Sequence, residues 1–139
     1  MKQSTRENKV QEFHKGMDLP IDHQMYSSLL HLRSRLILEE AQEVAEALGD
    51  IAVANAYQRP VSVQEKTNLL KELCDLQYVL SGTIVSFKDI PTNSFDVAFN
   101  RVHQSNMSKL DDNGCPVYDI DGKVLKGPNY VAPDLEDLV

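Results

Sequence analysis

The chain has 139 residues, carries a net charge of −7, and is 42% hydrophobic and 25% charged. A chain of that length can bury about two-thirds of its unfolded surface around one core, so one domain is expected. The acidic balance lacks the clustered Lys and Arg that neutralise phosphates, which argues against a nucleic-acid surface, and no apolar run nears the roughly 18 residues of a membrane span.

A first helix is expected over residues 4–16, opened by a Ser or Thr cap and closed by Gly16 before the break at Pro20. A second, longer helix is expected from Asp22 or His23 to Leu48, with Gly49 as its stop. The stretch DIAVANAYQRP then reads as a short helical turn and a loop ending at Pro60. At Ser62 the string SVQE has capping-box spacing and opens a third helix reaching Phe87. After KDIPTN a fourth helix is expected over Ser94 to Leu110.

The tail is different in kind. DDNG and DIDG are turn signals, and CPVYDIDGKVLKG reads as two short strands around an Asp-Gly turn. The final PNYVAPDLEDLV reads as an extended arm or a frayed end. The expected architecture is therefore all-α, with four or five helices over 1–110 and a small β-hairpin and arm over 111–139 as part of the same domain. The opening MKQSTRENKVQEF has no apolar export core, which reads as a cytoplasmic protein, and Cys74 and Cys115 read as free thiols.

The segment LILEEAQEVAEAL raises the chemical question, because it holds four glutamates. With about 100° per residue and Leu36 at zero, Met25, Leu29, Leu32, Leu36, Ile37, Val44, Ala47 and Leu48 form one broad apolar stripe. Glu40 at about +40° and Glu43 at about −20° fall inside it, Glu39 at about −60° on its border, and Glu46 further out toward solvent. Arg33 also faces inward, where a neighbouring acid would satisfy it. The third helix carries Glu72 and Asp75 along the flank of its own stripe of Leu69, Leu73, Leu76, Leu80, Ile84 and Phe87. Carboxylates at i and i+3 share one helix surface, so antiparallel packing would bring Glu40, Glu43, Glu72 and Asp75 to one point. Four close, partly desolvated carboxylates repel one another, and a hard divalent cation such as Mg²⁺ compensates while leaving room for substrate phosphates. The plainer alternative is a solvated acidic face, on which an EExxE string is common.

The string Glu39-Glu40-Ala41-Gln42-Glu43 and the later Glu72-Leu73-Cys74-Asp75 resemble the EExxE…ExxD signature of the all-α nucleoside triphosphate pyrophosphohydrolases. This is the MazG-like superfamily, to which the phosphoribosyl-ATP pyrophosphatases and the dimeric dUTP/dCTP pyrophosphatases belong. EFHKGMDLPI and RVHQSNMSKLDDNGCPVYDIDGKVLKGPNY are similar to stretches of its small single-domain members, so the likeness covers most of the chain. The gap between the two motifs is long for the family, and one repeat is present where tandem MazG proteins have two.

The resemblance implies a dimer or tetramer that cleaves a nucleoside triphosphate to the monophosphate and pyrophosphate, with Mg²⁺, or Mn²⁺ in its place. It implies Glu40, Glu43, Glu72 and Asp75 as metal ligands. Glu39 would serve as the catalytic group, ligating a further metal or orienting the attacking water. Lys109 and Asn106, near the end of the fourth helix, would bind phosphate or sugar, although a lysine there also complements the helix dipole. A purine deoxynucleotide such as dGTP is a first guess for the substrate, and phosphoribosyl-ATP is the close competitor.

Other chemistries fit less well. No histidine follows a glutamate by three residues, as a di-iron carboxylate bundle requires. The DIDG turn lacks the rest of a calcium loop, and no glycine-rich phosphate loop occurs. A non-enzymatic helical module, acidic for solubility alone, is the alternative of another class.

Overall fold

The computed structural model describes residues 5–139. It is all-α, with four helices in the order α1 (Arg6–Gly16), α2 (Ser27–Ala56), α3 (Val63–Ser86) and α4 (Thr92–Met107), and a 3-10 turn at Glu136–Leu138. The chain divides into two compact units, the first ending at Asp89 and the second running Ile90–Val139.

In the first unit α1 and α2 both pack on α3. Thr5 caps α1 by accepting from the Asn8 N–H at 3.1 Å, and Val10 and His14, one turn apart, are its buried residues. The helix ends where Met17 N–H donates to the Phe13 carbonyl and Leu19 N–H to that of His14. Asp18 between them takes a left-handed φ of 56°.

The long helix begins later than expected. Asp22 and His23 lie outside it, and their N–H groups donate to the carbonyls of Val85 and Ser86, at 3.1 and 2.8 Å. Those carbonyls belong to the last turn of α3, which has no partners of its own for them. Neither residue has helical backbone: Asp22 takes a left-handed φ of 52°, and His23 pairs with Phe87 in an isolated parallel bridge, its carbonyl accepting from Lys88 N–H at 3.1 Å.

Nor does Gly49 stop α2, which continues to Ala56. The apolar period runs on past the glycine through Ile51 to Ala54, which is fully buried, and tertiary burial outweighs the modest helix penalty of one glycine. The termination comes at Gln58, with φ 54°, where Arg59 N–H reaches back to the Ala54 carbonyl at 3.0 Å.

The capping box at Ser62 is formed. Its hydroxyl accepts from Glu65 N–H at 3.1 Å and its own N–H donates to Glu65 Oε1 at 3.0 Å. The core of this unit gathers Val10, Leu29, Val44, Ala47, Ala54, Ile84, Val85 and Phe87.

In the second unit α4 follows Pro91 and buries only Ser105. The expected β-hairpin is not there as strands: one antiparallel bridge, Tyr118 with Val124, flanks the turn. The Asp119 carboxylate closes that turn by accepting from the N–H groups of Asp121 and Lys123, at 2.9 and 2.8 Å. Its flanks Tyr118, Ile120, Val124 and Leu125 are all exposed, and an isolated pair of strands with no buried face is marginal. The C-terminal arm is held rather than frayed. Arg101 grips Asp137 through both nitrogens at 2.6 and 3.1 Å, and Ser105 Oγ donates to the Val131 carbonyl at 2.7 Å. Among the described residues no helix is long and apolar enough to cross a membrane, and Cys74 and Cys115 are free and exposed.

Candidate metal centre

The buried positions of α2, Leu29, Arg33, Val44, Ala47 and Ala54, define a narrow stripe on the helical wheel. Glu40 falls in its middle and Glu43 on its edge, so Glu40 is half-buried and Glu43 exposed. On α3, Glu72 is only 8% exposed and Asp75 is intermediate. Residues of α2 meet α3 in antiparallel sense, and the two i, i+3 pairs face one another. One carboxylate oxygen from each of Glu40, Glu43, Glu72 and Asp75 lies within 4.8 Å of all the others.

Compensation for this negative charge is incomplete. Among the described residues the cluster's ion-pair partner is Lys71, whose Nζ is 2.7 Å from Asp75 Oδ2 and 3.4 Å from Glu72 Oε1. Its hydrogen bonds to Asp75 and Glu72 push the Lys71 ammonium up to about 12. A hydrogen bond shared with Glu72, and then the charge of Glu40, raise the Glu43 carboxyl above its ordinary value. Glu40 Oε2 and Glu72 Oε2 are both shielded from solvent without any hydrogen-bond partner. A buried carboxylate oxygen with no donor is costly, and a positive centre among the four groups removes that cost. An all-oxygen, carboxylate-rich donor set suits a hard divalent cation, so the residues present fit a metal ion.

The other residues singled out from the sequence are not among these four. Glu39 is exposed and outside the group of four, with its carboxylate 3.9 Å from Arg35 Nε on the solvent side of α2. Asn106 and Lys109 belong to the second unit and are joined there, Lys109 N–H donating to the Asn106 carbonyl at 3.2 Å. Lys109 stands beyond the end of α4, and its carbonyl accepts from Gly127 N–H at 3.0 Å, so it is not a last-turn helix lysine. Among the described residues no acid satisfies Arg33. Its Nη2 donates to the Val79 carbonyl at 2.7 Å and its Nε to Thr83 Oγ1 at 3.1 Å. Lys71 is not among the residues expected from the carboxylate pattern, although its i, i+4 spacing to Asp75 is a local signal that identifies it.

A search of curated proteins finds no match. A family model described as phosphoribosyl-ATP pyrophosphohydrolase matches residues 10–106. That span holds the four clustered carboxylates and Asn106, while Lys109 lies outside it. Because the match covers more than half of the sequence, the chain belongs to the phosphoribosyl-ATP pyrophosphohydrolase family, within the all-α MazG-like superfamily, whose members hydrolyse a phosphoric anhydride.

Proposed function

We propose that the protein is a divalent-metal-dependent pyrophosphohydrolase that cleaves a nucleoside or deoxynucleoside triphosphate to the monophosphate and pyrophosphate. The observation that carries this reading is the pair of shielded, unpartnered oxygens of Glu40 and Glu72 inside a four-carboxylate group. Glu40, Glu43, Glu72 and Asp75 would hold the cation, Mg²⁺ or Mn²⁺ in its place. When bound it would neutralise phosphate charge and favour ionisation of a nearby water.

The chain's own residues divide the remaining work. Glu39, exposed on the same helix as Glu40 and Glu43, would orient the attacking water or ligate a further metal. That water adds to the α or the β phosphorus and gives up its proton to solvent, while the bridging α–β oxygen leaves with pyrophosphate in the first case and with the nucleoside monophosphate in the second. Asn106 donates hydrogen bonds to phosphate or sugar, and Lys109 offsets phosphate charge that the cation leaves. Phosphoribosyl-ATP, named in the description of the matching family model, is the second reading of the same site.

The test is pyrophosphate release, with Mg²⁺ or Mn²⁺, from a panel of ribo- and deoxyribonucleoside triphosphates, dGTP first among them, together with phosphoribosyl-ATP. Release from the triphosphates supports the first reading, and release from phosphoribosyl-ATP alone supports the second. Glu40→Gln and Glu72→Gln are expected to keep the fold, to lose the rise in melting temperature that the metal produces, and to lower turnover at least about a hundredfold, since even outer-sphere groups are worth 10–100-fold. No pyrophosphate from any substrate would sink both readings.

A further inference from the structure

Arg33 is a cation buried to 7% exposure with no carboxylate beside it. Burial alone pulls its guanidinium below the ordinary value, so its position is held by the acceptors it finds. These are both on α3, one turn apart. The Val79 carbonyl takes Arg33 Nη2 at 2.7 Å, and Thr83 Oγ1 takes Nε at 3.1 Å while donating its own proton to that same carbonyl at 2.8 Å. The space for the guanidinium is provided by Gly82. A Cβ there would stand 2.5 Å from Arg33 Nη2 and 3.1 Å from His14 Nε2. His14 is itself pinned, its Nδ1 2.8 Å from the Pro20 carbonyl; a carbonyl only accepts, so that nitrogen carries the proton.

The spacing along the two helices connects this clamp to the carboxylates. From Arg33 to Glu40 is seven residues forward along α2, and from Val79 to Glu72 is seven residues back along α3. Both steps are about 10 Å of helix, and seven residues are almost two full turns, so the clamp and the acids share a face on each helix. A slip of α2 by one turn would take the guanidinium off its two acceptors and out of the space over Gly82, and would separate Glu40 and Glu43 from Glu72 and Asp75.

We infer that Arg33, seated over Gly82 and bonded to Val79 and Thr83, is a positioning residue that fixes the register of α2 against α3 and thereby assembles the four-carboxylate group. It touches no reacting atom. The inference rests on the reading of that group as a metal centre only for its consequence, because the register is a property of the metal-free protein.

Two measurements test it in the full-length chain. The first is a spin-label distance between Ala45→Cys on α2 and Lys66→Cys on α3, in a Cys74→Ser, Cys115→Ser background without metal. The second is the Mn²⁺ dissociation constant at a temperature where circular dichroism shows each protein fully folded. Arg33→Met and Gly82→Ala are expected to shift or broaden the distance by up to about one helical turn, roughly 5 Å, and to weaken Mn²⁺ binding by about tenfold or more. Arg33→Lys, which reaches one acceptor rather than two, is expected to fall between. If Arg33→Met does not fold, Thr83→Val, which deletes one of the two Arg33 bonds together with the threonine's own bond to the Val79 carbonyl, supplies the reading in its place. A folded variant with the wild-type distance and the wild-type Mn²⁺ affinity overturns the inference, since a residue that only adds stability moves neither. Should the unsubstituted protein bind no Mn²⁺, the metal reading fails by itself, and the label distance still decides the register.

Discussion

The Glu65 carboxylate accepts from both terminal nitrogens of Arg59, at 2.7 and 2.9 Å, and from the Ser62 N–H at 3.0 Å. These bonds, Arg59 first, lower its folded value from 4.5 to about 2. A carboxyl depressed on folding contributes stability that is present in full above its unfolded value and is lost as pH falls through the folded one. Glu65→Gln should therefore flatten the decline of stability between 4.5 and about 2, read as urea midpoints at successive pH values. Parallel declines in the two proteins would show that the carboxylate contributes nothing over that range. Residue-scale features such as this pair differ in how far the sequence reveals them. SVQE announces the cap because the partners are three residues apart and local. The inward turn of Glu40 was legible from helical period alone, and its shielded oxygen follows from that position. Arg33 was legible as inward-facing but not in its partner. A backbone carbonyl leaves no trace in sequence, and the expectation of an acid came from charge pairing, the more familiar remedy for a buried cation.

At the scale of elements, the extents of α2 and the tail depended on packing that lies far away in sequence. Gly49 carries the local mark of a helix end, yet it sits inside α2 because Ala54, one and a half turns on, is buried against the core. The glycine is exposed, and a Cβ added to it would meet nothing within 4 Å. Gly49→Ala removes backbone freedom from the unfolded chain without a clash in the folded one. It should raise unfolding stability by about 0.5–1 kcal/mol with an unchanged denaturant slope. A loss of stability would mean that the backbone at this position needs glycine after all. The start of α2 was misplaced for the converse reason. Asp22 and His23 supply donors to the end of α3, more than sixty residues away, and no local pattern encodes that debt. In the tail the Asp-Gly turn was legible from its residues and formed. The strands were not, because alternation predicts a strand only where one face has something to cover.

Across the whole molecule, burial is distributed unevenly. Ser81, Ser86 and Ala54 are completely enclosed and Val85 nearly so, all in the first unit, whereas α4 in the second buries Ser105 alone. Local opening costs least where few apolar contacts must be broken. Amide hydrogen exchange should thus be slowest through Ile84–Phe87 and around Ala54, and faster by at least about tenfold, some 1.4 kcal/mol of opening free energy, in Asn100–Met107. The sharpest readings are Asp22 and His23. Both lie outside every helix, where simple loop amides exchange quickly, yet their N–H groups are bonded to the carbonyls at the end of α3 and should be protected with it. Divalent metal adds a second pattern: if the four carboxylates hold it, protection should rise along Glu40–Glu43 and Glu72–Asp75 together, because tying the acids of two helices to one centre means that neither helix opens there alone. Protection rising on one helix only would place the ion at an ordinary surface pair. The metal dependence of exchange therefore separates a four-ligand centre from an acidic face that merely attracts cations.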